Sequence, residues 1–497
     1  MILPGFIGPS YTSLSVNADA QRCLNMYLEV LESGQAKNKF ALYGTPGLKR
    51  WGTLPVAPVR GLWAGDGRLF AAGGNGPTTT LYEMNSNGQV KSVRGTLDAD
   101  NGGYLPVRMF ANGTVLWIVS GDATYYDIGG SGPVYLKRPT YSSDGSYVLA
   151  RMGAYVDGYF VAMVPDTNTL QISNPLDGST ALWDVLQSFA KSGAPDRLLA
   201  IVADHEELYL FGELTGEVWR NTGNGFNGFA FEKDPSGTME IGISAPWSAC
   251  PIHHGVAWIV QDVRGRGSAI FASGYQPSRI STHAVEEAWA QYPTITDAEA
   301  YAYSEDGHDF WVINFLLGNA TWVWDATASD QCGQPIWHER AYNGSSGRQR
   351  QICHAFAFET HLVGDFETGE IWQQDLGTYT DGDTPITRIR TCPHLCTENL
   401  RTFGHQIEFE MEVGNAALAP TLAWSNDRGH TYGSEHHGRL STVAGAYPTG
   451  PTTSPYAQRM IVDRLGCWRD RIFRLTITDT EKVALINAYL RSTQGTS

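Results

Sequence analysis

Short apolar stretches recur along the middle of this chain, and a turn signal precedes each of them. Seven such stretches start about 45 to 55 residues apart, which is the spacing of the blades of a β-propeller. They begin at Leu69, Val115, Tyr159, Leu208, Val256, Phe310 and, with a weaker pattern, His361. Most are followed by a second strand with an aromatic residue, so each unit is a small sheet that cannot bury its faces alone. We therefore predict one β-propeller over residues 51–390.

Two regions flank the predicted propeller. Residues 1–50 combine loop signals with few strand patterns, and we expect an N-terminal segment that serves assembly more than the core. Polar and apolar residues alternate well along the predicted strands of residues 391–497. In one of these strands, Ile407, Phe409, Met411 and Val413 form an apolar face. A small β-sandwich is the economical fold for this module. The prediction is an all-β chain with an N-terminal extension, a propeller and a C-terminal β-sandwich module.

The charge is unevenly distributed along the 497 residues. The whole chain has a net charge of −16, while residues 388–497 hold 12 basic and 10 acidic residues. Residues 1–387 hold the other 23 basic and 41 acidic residues, so the propeller part carries −18 and the C-terminal part +2. Tight binding of nucleic acid needs clustered Lys and Arg, which this composition argues against. An acidic wall along which DNA slides remains compatible with it.

Cysteine and histidine positions give weak metal signals. The run Cys392, His394 and Cys396 places three ligand types close together, but no fourth ligand stands at a usual spacing. The pairs His253–His254 and His436–His437 can chelate only from a loop, because consecutive strand residues point to opposite faces. We predict no metal site and no cofactor. No run of eighteen apolar residues is present, so we also expect no membrane span.

One motif in the C-terminal module resembles an Asp box. The pattern Ser-x-Asp-x-Gly-x-Thr followed by an aromatic is formed by Ser425, Asp427, Gly429, Thr431 and Tyr432. In a turn, the aspartate accepts from backbone N–H groups and the glycine takes the left-handed conformation. Such boxes recur in sialidase propellers, but this single copy lies outside the blades, which favours a structural turn. We predict no catalytic residue, and the alternative function is a sialidase-like glycosidase or a glycan-binding propeller lectin.

Both ends of the chain resemble a known group of proteins. Residues 17–22, 25–29 and 41–48, together with 424–433, 464–469 and 473–479, are similar to phage tail proteins called DNA stabilisation proteins. These form the tail hub or nozzle of short-tailed phages such as P22. The resemblance implies a structural virion protein, assembled in the host cytoplasm, with six copies in a ring below the portal and adaptor. Relatives are usually described with six blades, whereas the repeats in this sequence number seven, so both counts stay open.

The resemblance also implies partners and contacts. The ring continues the DNA channel without sequence-specific binding, retains DNA until ejection, and meets a tail needle or plug and tail spikes or fibres. We expect an acidic or neutral lumen, because phosphates then find no fixed cations. The candidate assembly contacts are Arg22, Asn25, Glu29, Arg464, Arg469, Arg471 and Arg474.

Overall fold

A computed structural model gives the architecture of most of the chain. It describes residues 2–33, 38–75, 79–97, 105–127, 136–176, 183–194, 196–223, 230–342, 344, 346–413, 420–442 and 458–495. Strands dominate these residues, as the sequence predicts.

Six strands lie in the described part of the N-terminal 53 residues. They are β1 (Tyr11–Thr12), β2 (Ala20–Gln21), β3 (Cys23–Leu24), β4 (Met26–Val30), β5 (Phe40–Gly44) and β6 (Gly47–Thr53). Strands β1 and β2 form a two-stranded sheet, while β3 to β6 join sheets built by later parts of the chain.

Six blades of the propeller are four-stranded antiparallel sheets of consecutive strands. The first three blades comprise β7 (Val59–Gly65), β8 (Arg68–Gly73), β9 (Thr80–Met84), β10 (Val90–Thr96); β11 (Val107–Ala111), β12 (Leu116–Ser120), β13 (Ala123–Asp127), β14 (Leu136–Lys137); and β15 (Met152–Val156), β16 (Tyr159–Met163), β17 (Thr169–Ile172), β18 (Ser188–Ala190). The next three comprise β19 (Leu198–Asp204), β20 (Glu207–Gly212), β21 (Gly216–Asn221), β22 (Phe231–Met239); β23 (Cys250–Ile252), β24 (Gly255–Gln261), β25 (Gly267–Ser273), β26 (Gln276–Arg279); and β27 (Glu299–Glu305), β28 (His308–Phe315), β29 (Ala320–Asp325), β30 (Ile336–Arg340).

The seventh blade closes the propeller with a strand from the other end of the sequence. Its first three strands are β31 (Gln351–Ala357), β32 (Thr360–Asp365) and β33 (Glu370–Asp375), and β6 pairs with β33 as the fourth. Each innermost strand contacts the innermost strand of the next blade, and β31 contacts β7. The weak repeat at His361 is therefore a complete blade, and the propeller has seven blades.

The turn signals of the sequence lie at the hairpins between the first two strands of the blades. Asp66–Gly67, Asp157–Gly158 and Asp306–Gly307 all have positive φ at both residues. This is the geometry of a two-residue type I′ turn, whose twist matches that of the flanking strands. The apolar stretches that follow are the second strands of the blades, and they are buried.

In the described residues, two short α-helices and one 3-10 turn lie between the strands. Helix α1 (His283–Trp289) is capped by Thr282, and α2 (Ala326–Cys332) is capped by Asp325, whose carboxylate accepts from Ala328 N. The 3-10 turn spans Pro246–Ser248. Within the described part of the chain, no helix has the length and apolar character needed to cross a membrane.

The remaining strands follow the last blade. They are β34 (Thr380–Asp381), β35 (Thr384–Pro385), β36 (Arg388–Thr391), β37 (Leu395–Cys396), β38 (Thr402–Val413), β39 (Thr421–Ser425), β40 (His436–His437), β41 (Arg439–Thr442), β42 (Gln458–Trp468), β43 (Asp470–Ile477) and β44 (Val483–Gln494). One sheet has the order β3-β36-β43-β39-β40 and is joined through β3 to β30 of the sixth blade. The other has the order β4-β5-β44-β38-β42-β41.

The two sheets of the C-terminal module share one hydrophobic core, and the N-terminal residues are part of it. Leu3, Phe6 and Leu42 are buried together with the apolar face of β38. That face contains Ile407, Phe409 and Met411, as the alternation predicts; the side chain of Val413 lies outside the described residues.

This arrangement differs from the boundaries 1–50, 51–390 and 391–497. Strands β3 to β5 belong to sheets of the C-terminal module, and β6 belongs to the propeller. Apolar side chains of residues 1–50 lie in the core of the module, so this segment contributes to the fold, and its part in assembly stays a prediction.

Candidate functional site

A buried arginine contributes several of the hydrogen bonds between the N-terminal segment and the C-terminal module. From β36, Arg390 donates through Nε to the carbonyl oxygen of Phe6 at 2.6 Å, through Nη1 to that of Pro9 at 2.8 Å, and through Nη2 to that of Gly5 at 2.9 Å. Nη2 also donates to Gln21 Oε1 at 2.6 Å. Burial lowers the pKa of Arg390, and these oxygens compensate for the water that the guanidinium has lost. The sequence gives no signal for this role.

Arg22 and Asn25 make contacts within the chain. Arg22 forms a two-pronged ion pair with Glu339 of β30, with Nη2 and Oε2 2.8 Å apart. Asn25 is 3 % exposed; its amide donates to the carbonyl oxygens of Ala341 and Thr387 and accepts from Ala341 N. The structure thus gives Asn25 an intramolecular role in place of the expected assembly contact, because its polar atoms are already bonded inside the fold.

Glu29 also points to the sixth blade. Its Oε2 lies 2.8 Å from Nε2 of His308, whose Nδ1 lies 2.8 Å from Oδ2 of Asp325. Burial alone would lower the pKa of His308, but the hydrogen bonds and charges of Asp325 and Glu29 raise it to about 9. The result is an imidazolium between two carboxylates that connects the N-terminal segment to the propeller.

The four C-terminal arginines fall into two groups. Arg464 and Arg469 are exposed and available to other proteins, although Arg469 also donates to the carbonyl oxygen of Asn399. Arg471 is 2 % exposed; it donates to Asn426 and to the carbonyl oxygen of Leu465, and its guanidinium lies 4.2 Å from the ring centroid of Trp468. Burial lowers its pKa to about 10. Arg471 is therefore a core residue of the module, which corrects its proposed role as a surface contact.

Arg474 is half-buried and stacks on the aromatic residue of the Asp box. Its guanidinium carbon lies 4.0 Å from the ring centroid of Tyr432. The guanidinium and the tyrosine ring therefore pack against each other.

The Asp box forms the turn that its sequence predicts. Asp427 Oδ1 accepts from Thr431 N at 2.9 Å and from Ser425 Oγ at 2.6 Å, and Oδ2 accepts from Thr431 Oγ1 at 2.5 Å. Gly429 has φ +95° and donates to Ser425 Oγ. The hydrogen bond from Ser425 and those from Thr431 hold the pKa of Asp427 well below its usual range. The carboxylate is thus committed to the turn.

The cysteine and histidine run after β36 does not form a ligand set. Cys392 Sγ accepts from Phe473 N, and Cys396 is exposed. Both ring nitrogens of His394 are bonded, Nδ1 to Asp470 and Nε2 to the carbonyl oxygen of Val16. These contacts are structural.

A cavity of about 320 Å³ lies next to the starts of β7, β11, β27 and β31, the innermost strands of four blades. Glu299 and Arg348 line it together with apolar residues. Burial raises the pKa of Glu299 to about 7, against the opposing charges of Arg108, Arg348 and Arg60. Arg348 stacks on Phe366 with its guanidinium carbon 3.4 Å from the ring centroid. The carboxylates of Asp297 and Glu299 are the acidic groups of this lining.

These features define a structural β-propeller protein in which both chain ends build a second module. The chain belongs to the family described as "Bacteriophage P22 Gp10, beta-propeller", whose model matches residues 20–378. It is accordingly a phage tail β-propeller protein and a component of the virion. The match covers β2 to β6 and all seven blades.

Comparisons with curated proteins and with solved structures give no further information on function. No curated protein matches the chain. Among solved structures, the N-terminal domain of Nup159 has 11 % identity and a TM-score of 0.39, with 70 % of this chain and 97 % of that chain covered. PorZ of the Porphyromonas gingivalis type-IX secretion system has 12 % identity and a TM-score of 0.35, with 72 % and 44 % covered. A functionally unknown protein from Desulfotomaculum acetoxidans has 11 % identity and a TM-score of 0.37, with 63 % and 94 % covered. No functional conclusion follows from these likenesses.

Proposed function

We propose that this protein is the tail hub, or nozzle, of a short-tailed phage. Six copies form a ring that continues the DNA channel below the portal and adaptor and helps to retain packaged DNA until ejection. The protein acts without catalysis and is assembled in the host cytoplasm. Its further partners are a tail needle or plug and tail spikes or fibres. The family match over residues 20–378 carries this proposal.

The small size of the cavities among the innermost strands supports a DNA path outside the single propeller. Cavities of about 320, 260 and 500 Å³ lie among the innermost strands, and each is far too small for a DNA duplex. Arg108 and Trp247 line the second of them, with the guanidinium carbon 5.8 Å from the ring centroid. DNA therefore has to pass between copies of the protein, along a wall made of their outer surfaces. A closed seven-bladed body held at both chain ends gives that wall rigidity.

The charge distribution supports an acidic or neutral lumen. Residues 1–387 carry 41 acidic against 23 basic residues. A wall without clustered cations does not hold the DNA backbone, and at physiological salt its repulsion extends only about 8 Å. The duplex can then leave quickly when the plug is removed.

The exposed arginines of the C-terminal module are the favoured contacts with neighbouring carboxylates. Arg464 and Arg469 remain in this role, because their side chains reach solvent. Arg22 and Glu29 keep partial exposure, but their first partners are Glu339 and His308 of the same chain.

The test is reconstitution with the portal and adaptor, followed by cryo-electron microscopy of the assembly. We expect a ring of six with a lumen lined by acidic and neutral side chains. The double variant Arg464→Glu and Arg469→Glu should dock more weakly, while Arg264→Glu, an exposed arginine of a blade turn, serves as the matched control. Lumen rings of Lys and Arg, an assembly without a through-channel, or turnover of a fluorogenic sialoside by the soluble chain would contradict the proposal.

A further inference from the structure

Two adjacent histidines lie in the turn of a blade hairpin. His253 and His254 connect β23 to β24, and His253 has φ +57°. The chain reverses at these residues, so the alternation that separates neighbouring side chains in a strand does not apply. Their ring centroids are only 4.3 Å apart. The condition under which this pair can chelate is thus met.

A carboxylate from the next blade completes the group. Asp330 lies on α2, and one ligand atom from each of His253, His254 and Asp330 lies within 4.8 Å of the other two. His253 Nε2 and Asp330 Oδ2 are 3.2 Å apart. Two ligands at about 2.0 Å from one tetrahedral ion are separated by about 3.3 Å. This pair already has that spacing, and rotation of the exposed His254 side chain brings the third atom closer.

A second carboxylate orients the first histidine. Asp309 Oδ2 lies 2.7 Å from His253 Nδ1, and its other oxygen accepts from Ser304 Oγ. Asp309 is itself positioned by Thr327, whose Oγ1 accepts from Asp309 N at 3.1 Å. A carboxylate on Nδ1 selects the tautomer whose Nε2 has a free lone pair, which is the usual support of a metal-ligating histidine. The side chain of His253 is 26 % exposed, so solvent ions reach the site.

We propose that His253, His254 and Asp330 bind one divalent transition-metal ion, best matched by zinc, with Asp309 as the positioning residue. Two imidazoles and one carboxylate suit Zn²⁺, whereas Ca²⁺ and Mg²⁺ prefer oxygen ligands only. Water takes the fourth position. The ion connects the turn of the fifth blade to the helix of the sixth and so stabilises the contact between these blades on this face of the propeller.

The experiment uses the full chain without a histidine tag, freed of metal by chelator and titrated with zinc chloride in a calorimeter. We expect one zinc ion per chain and a rise in melting temperature at saturation. His254→Gln and Asp330→Asn should each weaken binding at least tenfold. Asp309→Asn should weaken it roughly 10- to 100-fold, as expected when such a support is lost.

Controls separate this site from other ligands. His437→Ala changes an exposed histidine of the other pair and should leave zinc binding unaltered, and calcium chloride should give no binding. Cobalt(II) should show no thiolate charge-transfer band, because the exposed Cys396 and Cys467 are not ligands here. Absence of zinc binding would instead identify an ion pair of His253 with the two carboxylates and overturn the proposal. Unchanged binding in folded His254→Gln and Asp330→Asn would overturn it as well.

Discussion

The propeller and the C-terminal module are both built of antiparallel strands, but their strands come from different distances along the chain. Within each of the first six blades, the four strands pair with one another in the order of the sequence. In the module, Leu42 of β5 pairs with Leu485 of β44, and Leu24 of β3 pairs with Ile389 of β36. The blades are therefore local structures that stack, whereas the module forms only when the two ends of the chain meet.

The N-terminal 53 residues connect these two regions. Strand β6 closes the seventh blade, while β3 lies between β30 of the sixth blade and β36 of the module. Arg22, Asn25 and Glu29 all bond to the sixth blade or the residue after it. Polar residues in a poorly patterned segment resemble surface contacts in the sequence, but here they hold one region against the other.

The largest effect is expected when one aromatic residue is truncated in the core of the module and one in the core of a blade. Phe6 lies 5.1 Å from Phe409 between ring centroids and is 1 % exposed; Phe70 is equally buried in a blade. We expect each change to Ala to cost about 3 to 5 kcal/mol in the free energy of unfolding. By hydrogen-exchange mass spectrometry, Phe6→Ala should deprotect β38 and β44 while β12 stays protected, and Phe70→Ala should deprotect its own blade. Equal loss of protection everywhere in both variants would mean that the two regions form one cooperative unit.

The next largest change in the free energy of unfolding is expected for a comparison of two arginines of the module, one buried and one exposed. Arg471→Ala leaves Asn426 and the carbonyl oxygen of Leu465 without a buried donor and removes packing against Trp468, so we expect a loss of about 2 to 4 kcal/mol. Arg469→Ala, its exposed neighbour, should change the unfolding free energy by at most about 0.5 kcal/mol. Urea denaturation of both variants measures the difference. Similar losses in the two variants would contradict the separation of core from surface arginines.

The His308 contact predicts a dependence on pH. The pKa of His308 is raised to about 9 in the folded chain, above its ordinary value of 6.5. The folded state thus holds the proton more tightly, so its stabilising effect is complete below pH 6.5 and is lost as the pH rises through 9. The urea midpoint of the wild type should fall between pH 6.5 and 9.5, and Glu29→Gln should flatten that fall. A Glu29→Gln variant with the same pH profile as the wild type would show that this contact does not hold the N-terminal segment.

The smallest expected effect is at the Asp box. Asp427→Ala removes the carboxylate that accepts hydrogen bonds from Thr431 N and Ser425 Oγ. We expect a small decrease in the melting temperature of the module as a result. Glu435→Ala, an exposed change in the same loop, is the control and should not alter it. Neither variant nor the parent should hydrolyse a sialoside. A glycosidase activity that disappears in folded Asp427→Ala would reverse the assignment of the box as a structural turn.

The sequence by itself determined the features that depend on neighbouring residues. An apolar run after Asp157–Gly158 or Asp306–Gly307 is a buried strand after a type I′ turn, whichever blades surround it. The Asp box closes through hydrogen bonds within four residues along the chain, so its pattern predicts its geometry. The resemblance to phage tail proteins likewise depended on such local patterns, and the family match agrees with it.

Only the tertiary structure decided where the polar residues of the two chain ends point. Arg390 bonds to the carbonyl oxygen of Gly5 across 385 positions, and Asn25 to that of Ala341 across 316. The partners of His253 lie 56 and 77 positions away, on a different blade. A polar side chain is stable either in water or when it is buried with hydrogen-bond partners. When those partners come from distant strands, the residues next to it in the sequence do not show whether it is exposed or buried.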